Sequence, residues 1–306
     1  MNAAALEASS LSRRYGSTWA LHDCSLTLPT ARVIALVGPN GAGKTTLLHL
    51  ATGLLQPTSG SIRVLGESPG ANPEILGRVG FVAQDTPLYR NFTVAEMLRF
   101  GEQLNPTWDQ HLAVGRLESL SIPLAQKVGT LSGGQRGQVS LAIALAKRPE
   151  LLLLDEPLAS LDPLARRDFV AALMESSAEH GVSVVLSSHL ISDLERVCDH
   201  LVVLRNGRVA VDGDIGDLLR SHRLVSGPRH AAALTGMGEV IDQTDTDRQT
   251  VALVRIDGSV LDPTWVVRQV DLEEIVLGYL GGRDGSSAPT DTTLRAVRSA
   301  PSEVGS

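Results

Sequence analysis

A chain of 306 residues with 43% hydrophobic side chains has material for one large domain, or one and a half, around a substantial core. A net charge of −7 and a pI near 5.6 argue against a broad basic face, so nucleic acid is not an expected partner. Cys24 and Cys198 make neither a disulfide framework nor a metal motif and read as core filling in a reducing cytosol; with no run of 18 apolar residues and no recognisable signal peptide, any membrane role is expected to pass through a partner.

In chain order, residues 4 to 28 read as an antiparallel strand pair, because Cys24, Leu26 and Leu28 alternate with Ser25 and Thr27. Tyr15 falls between the two strands. The chain holds 4 Phe, 3 Tyr and 3 Trp, and an aromatic just upstream of a nucleotide loop can stack on a base or simply fill core; position alone does not choose.

Arg32–Val37 reads as a buried strand and Thr45–Ala51 as a helix, and between them runs Gly38-Pro39-Asn40-Gly41-Ala42-Gly43-Lys44-Thr45-Thr46. Two glycines with four residues between them, followed by Lys and Thr, match the phosphate-loop pattern. The glycines let backbone N–H groups curl round phosphates, and the helix that follows turns its positive end to the same charge. Lys44 is expected to reach the β and γ phosphates and Thr45 to hold Mg²⁺.

After a turn at 56–60, Ser61–Gly66 shows strand alternation, and Val79–Ala83 is an apolar strand ending at Gln84. A polar residue past a strand's C-terminal edge is well placed to face a ligand, although taken alone Gln84 reads better as an ordinary loop glutamine. From Thr93 to Lys147 the apolar spacing becomes helical (Val94, Met97, Leu98; Leu112, Leu117, Leu120), which suggests an inserted helical subdomain over about 86–147. Within it stands Leu131-Ser132-Gly133-Gly134-Gln135. Ser132 and Gln135 form a capping-box pattern, and the paired glycines make the same helix start a candidate anion site.

Leu151–Leu154 followed by Asp155 and Glu156 reads as a buried parallel strand that projects two acids, one suited to Mg²⁺ and one to polarising water. Asp162-Pro163 opens a helix to about Glu179, and the N-cap role explains Asp162 in full. Val182–Leu186 is a further buried strand, with His189 just past its end, and 201–211 reads as a hairpin turning at Asn206-Gly207. Beyond residue 220 a small α+β extension is expected, with a hairpin over 239–256, a capped helix from Asp271 to about Leu280 and a disordered tail over 281–306.

GPNGAGKTT, Gln84, LSGGQ, LLLLDE and His189, in that order over residues 3–220, resemble the ATPase subunit of ATP-binding cassette (ABC) transporters. The resemblance implies an α/β fold: a P-loop NTPase (RecA-like) core with an N-terminal antiparallel β subdomain and an inserted helical subdomain. It casts Tyr15 as the adenine-stacking aromatic and Gln84 as a glutamine that contacts Mg²⁺ or water and senses the permease. It makes Asp155 the Mg²⁺-side acid, Glu156 the catalytic base, Asp162 the D-loop aspartate and His189 the switch histidine. It further implies two copies arranged head to tail around two ATP, with Ser132, Gly133, Gly134 and Gln135 gripping the γ phosphate held by the opposite copy.

Three departures stand out. Arg136-Gly137-Gln138 replaces the usual glutamine and basic residue after the signature, Ala31 replaces a common turn glycine, and Ala159-Ser160-Leu161-Asp162 is a variant D-loop. The Leu-Ser-Ser-His189-Leu run resembles bacterial exporters of drugs, antibiotics or lipids more than importers. The implied partner is a separate transmembrane permease, docked near Gln84, Leu88, Tyr89 and Phe92, which would hold the chain in the cytoplasm at the inner face of the membrane. A soluble cassette acting on nucleic acid or ribosomes is the alternative; such relatives typically carry coiled coils, zinc modules or tandem cassettes, and none is visible here.

Overall fold

The computed structural model describes residues 4–70, 73–159, 161–188, 191, 194–195, 197–228, 238–256 and 264–282. Strands β1 (Ala4–Tyr15) and β2 (Thr18–Pro29) pair antiparallel, as the alternation around Cys24 anticipates. The chain then turns at Ala31, whose φ of 54° explains why a glycine suits this position. The alanine bears roughly 1–2 kcal/mol of steric strain there, with its N–H tied to Ser183 Oγ at 2.9 Å.

Strand β3 (Val33–Val37), buried at every residue, runs into the phosphate loop and helix α1 (Lys44–Ala51). Strand β4 (Ser59–Val64) returns to pair with β1, which completes a three-stranded antiparallel sheet in the order β2-β1-β4. Helix α2 (Pro73–Arg78), which has no counterpart in the sequence reading, precedes strand β5 (Val79–Val82).

The helical stretch resolves into α3 (Val94–Leu104), α4 (Gln110–Ser119) and α5 (Gly133–Ala146). They close on a core of their own, with Val94, Met97, Leu98, Leu117, Val139 and Ala142 buried together. Strand β6 (Leu151–Leu154), helix α6 (Pro163–His180) and strand β7 (Ser183–Ser188) follow. Next comes the hairpin of β8 (His200–Arg205) and β9 (Arg208–Asp214). Its turn residues Asn206 and Gly207 have φ values of 49° and 72°, the paired positive angles that an Asn-Gly turn supplies.

These strands form one six-stranded sheet in the order β5-β6-β7-β3-β8-β9, parallel except for β9. Strict alternation divides its side chains between two cores. Ile34, Leu36, Leu151, Leu153 and Val185 face the antiparallel sheet and α1. Ala35, Val37, Leu152, Leu154 and Leu186 face α5 and α6. A strand buried on both faces must be apolar throughout, which is why these runs read as continuous hydrophobic blocks.

Helix α7 (Ile215–Ser221) leads into a four-stranded antiparallel sheet of β10 (His222–Pro228), β11 (Glu239–Asp245), β12 (Gln249–Arg255) and β13 (Val266–Gln269), ordered β11-β12-β10-β13. Only the β11–β12 hairpin and the capped helix α8 (Leu272–Gly281) correspond to the sequence reading of this region. Leu253, Leu272, Ile275 and Val276 pack into the same core as Leu201, Val203 and Ile215 of the six-stranded sheet and α7. The expected tail from residue 283 lies outside the described residues.

Candidate nucleotide site

The C-terminal ends of β3, β5 and β6 open onto a cleft of about 460 Å³, lined by Asn40–Thr46 with Ala20, Gln84 and Glu156. The loop glycines serve different ends. A Cβ on Gly38 would lie 2.4 Å from the Leu204 carbonyl oxygen, and one on Gly43 2.5 Å from that of Ala20, so these two let the loop lie against neighbouring backbone. Gly41 has open space around it, and its φ of 81° is the requirement. Gly43 stands at the N-cap of α1 with a φ of 106° and no side-chain cap, which leaves the first N–H groups of the helix open to the cleft.

Lys44 is buried. Its Nζ donates to the carbonyl oxygens of Gly38 at 2.7 Å and Pro39 at 3.4 Å, and it pairs with Glu156 Oε1 at 3.3 Å. Asn40, Gly41 and Thr45 are exposed in the cleft lining, Pro39 is exposed outside it, Ala42 is buried and Thr46 is half-buried.

The two acids at the end of β6 occupy different settings. Asp155 is buried, and its Oδ1 accepts the Ser187 hydroxyl at 2.8 Å. The same Ser187 oxygen accepts the Glu156 N–H at 2.8 Å. Glu156 has a φ of 48°, a left-handed angle that costs a non-glycine residue of order 1–3 kcal/mol. Ser187 therefore pins both acids, holding one carboxylate and the strained turn that brings the other into the cleft.

Gln84 is exposed where the chain leaves β5 and lines the same cleft, so Lys44, Thr45, Gln84 and Glu156 come together within one chain. Tyr15 does not line it. Its ring is 47% exposed at the end of β1, with the Arg13 guanidinium 4.9 Å from the ring centroid, so one face is occupied by a cation.

Ser132 and Gln135 form the anticipated box. Ser132 Oγ accepts the Gln135 N–H at 3.1 Å, and Gln135 Oε1 accepts the Ser132 N–H at 3.0 Å. Gly133 and Gly134 begin α5 and, like Ser132, lie outside the cleft. Asp162 caps α6 as expected, its Oδ1 accepting the N–H groups of Leu164 and Ala165, each at 3.0 Å. His189 lies outside the described residues.

Two participants carry no local sequence signal. Ser187 resembles any serine at a strand end, and its contacts with Asp155 and Glu156 exist only because β6 and β7 are neighbours. Leu161 packs beneath the signature helix, where a Cβ on Gly134 or Gly137 would meet its Cδ2 at 3.5 or 3.6 Å.

The donor set of Thr45 hydroxyl, Gln84 amide and Asp155 carboxylate is all oxygen, the kind that suits Mg²⁺. Thr45 and Gln84 line the cleft, whereas Asp155 is buried and is not among its lining residues; among the described residues no group of three or more His, Cys, Asp or Glu side chains could hold a metal by itself.

The comparisons bear on this geometry. The family model for ABC transporters matches residues 21–159. The sulfate/thiosulfate import ATP-binding protein CysA of Synechococcus elongatus is 37% identical over 224 residues, 71% of this chain and 64% of that protein. The thiamine import ATP-binding protein ThiQ of Escherichia coli K12 is 34% identical over 231 residues, 72% of this chain and 96% of ThiQ. The Nod factor export ATP-binding protein I of Sinorhizobium fredii is 36% identical over 231 residues, 72% of this chain and 64% of that protein. The chain thus spans just under two thirds of the length of two of these relatives.

Among solved structures, an ATP-binding subunit of an ABC transporter superposes with a TM-score of 0.65 at 30% identity, covering 70% of this chain and 92% of that one. The cassette MJ0796, described as dimeric, gives a TM-score of 0.60 at 25% identity, covering 68% of this chain and 98% of that one. With a relative matched along nearly its whole length and the same fold in its structural neighbours, the chain belongs to the ABC transporter family, as one of its ATP-binding ATPase subunits.

Proposed function

We propose that the chain binds ATP with Mg²⁺ in the phosphate cleft and hydrolyses it in a composite site completed by a second copy, powering transport through a separate permease. The observation that carries this reading is the placement of Lys44 between the Gly38 carbonyl and the Glu156 carboxylate, at the mouth of an uncapped helix. A triphosphate gives Lys44 a stronger partner than Glu156. Once released, that carboxylate can accept a proton from water at the γ phosphate, while Thr45, Gln84 and Asp155 hold Mg²⁺. Bound Mg²⁺ supplies neutralising charge on the phosphate oxygens. Tyr15, exposed at the end of β1, is assigned to the adenine, and His189 follows Ser188 in the chain.

Ser132, Gly133, Gly134 and Gln135 lie outside their own chain's cleft, and the dimeric description of a structural neighbour supports their action on ATP held by the opposite copy, with Asp162 alongside. A second helix N-terminus adds donors on the side of the triphosphate that the first leaves open. Closing thus depends on nucleotide, and hydrolysis weakens the clamp.

Among the described residues no helix is long and apolar enough to cross a membrane. We assign the crossing to a permease seated on the rings of Tyr89 and Phe92, 56% and 36% exposed and braced by Phe100, which would place the chain in the cytoplasm against the inner face. The direction inferred is export. It rests on the Leu186–Leu190 run alone, since the relatives are named for import and for export alike.

The test is Glu156→Gln. ATP turnover should fall by roughly 10²- to 10⁴-fold, the scale for losing a general base, while ATP stays bound. Near-normal turnover would remove Glu156 from the mechanism. Recovery of the protein with ribosomes or DNA, and with no membrane protein, would remove transport.

A further inference from the structure

The run Arg136-Gly137-Gln138, which departs from the usual pattern after the signature, has a partner on another helix. Gln138 is 3% exposed in the middle of α5. Its Oε1 accepts from Arg116 Nη2 of α4 at 2.7 Å, and its Nε2 donates to the Ala165 carbonyl in the first turn of α6 at 3.1 Å. The N–H of Ala165 is held by Asp162. A continuous chain thus runs from α4 of the helical subdomain, through the signature helix, to the D-loop aspartate. Leu161, the residue before Asp162, packs on the signature helix at Gly134 and Gly137.

We propose that Arg116 and Gln138 are positioning residues that lock the signature turn to the Leu161–Asp162 segment, so that both meet the opposite copy's ATP as one rigid edge. This rests on the composite-site reading above. The placement is more than filling. Arg116 has a buried Nε with no hydrogen-bond partner, and burial holds its guanidinium below its ordinary pKa against the pull of Glu175 and Asp168. An apolar pair would fill the space without that desolvation cost, so the bond to Gln138, whose amide in turn donates to the Ala165 carbonyl, is what the site retains the cation for.

The experiment uses the full chain in the Glu156→Gln background, so that ATP is retained. Light scattering reads ATP-driven dimerisation, fluorescent ATP binding is measured on dilute monomer, and thermal midpoints are recorded. Gln138→Leu removes both bonds. Gln138→Glu keeps an acceptor for Arg116 but loses the N–H that reaches Ala165, which separates the two halves of the chain. Both variants should need about tenfold more protein to dimerise, the equivalent of one buried hydrogen bond, with monomer ATP affinity within about twofold of the parent. Arg116→Met should act in the same direction, and Arg116→Met with Gln138→Leu should cost less than the two singles added, because they share one network.

Unchanged dimerisation in both Gln138 variants overturns the proposal, as does a loss matched by an equal loss of monomer ATP binding. If Gln138→Leu fails to fold, Gln138→Glu decides, since it retains the partner of Arg116. Failure of the composite site itself is distinguishable, because the Glu156→Gln parent would then not dimerise with ATP.

Discussion

The phosphate loop and the signature turn are both glycine-rich helix starts, yet α1 opens without a side-chain cap whereas α5 is closed by Ser132 and Gln135. Around α1 the chain collects its own counterparts: Lys44 buried, Glu156 beside it, Gln84 and Thr45 on the rim. The signature residues do not line that cleft, and at their helix start the Arg136 guanidinium donates back to the Leu131 carbonyl at 2.7 Å. One helix start keeps its backbone donors for a ligand and is furnished by its own chain; the other is held in shape and left facing outward. A pre-shaped but unfurnished anion site is what a protein needs when the ligand arrives on another copy.

Substitutions at the two helix starts should therefore separate. The largest effect is expected at Gly43→Ala, where the Cβ would meet the Ala20 carbonyl oxygen at 2.5 Å and φ is 106°. ATP binding by the isolated copy, followed by calorimetry, should weaken by roughly 10- to 100-fold, the scale of 1–3 kcal/mol of backbone strain. Wild-type affinity would show that the loop tolerates a different path.

Next is Ser187→Ala, which leaves the Glu156 N–H without its partner and removes the hydroxyl from Asp155. Denaturant melts should show a loss of about 1–3 kcal/mol, and steady-state assays a drop in kcat of about tenfold. If kcat holds while stability falls, Ser187 supports the fold and not the placement of the acids.

The smallest effect is Ser132→Ala, which removes the cap of α5 and should cost about 1 kcal/mol in thermal stability. Nucleotide affinity of the isolated copy should stay within about twofold, and a larger loss there would place the signature in its own chain's site. The two helix starts would then no longer differ in kind.

Much of this arrangement was legible in the amino-acid sequence because it depends on local rules. The loop glycines, the capping box at Ser132, the N-cap at Asp162 and the Asn206-Gly207 turn each state their conformation within a few residues. The buried strands were legible because burial on both faces demands unbroken apolar runs. What escaped depends on pairing at a distance. Helices α2 and α7, of six and seven residues, are too short to display a period. Strand β13 is exposed at all four residues and so has no alternation, and β10 is defined by partners 21 to 46 residues away in the chain. The anchoring role of Ser187 and the contact of Leu161 with α5 arise from neighbouring elements, which no single stretch encodes. Tyr15 was open between stacking and core from its spacing; its exposure disfavours core, and the base-facing role remains part of the proposal.

The composite site is tested most directly by the mass of the protein with and without ATP, comparing Glu156→Gln alone with Glu156→Gln carrying Ser132→Arg. The first should shift from monomer to dimer on adding ATP, and the second should bind ATP equally well and stay monomeric. A dimer that forms equally in both would place the signature outside the interface and contradict the account.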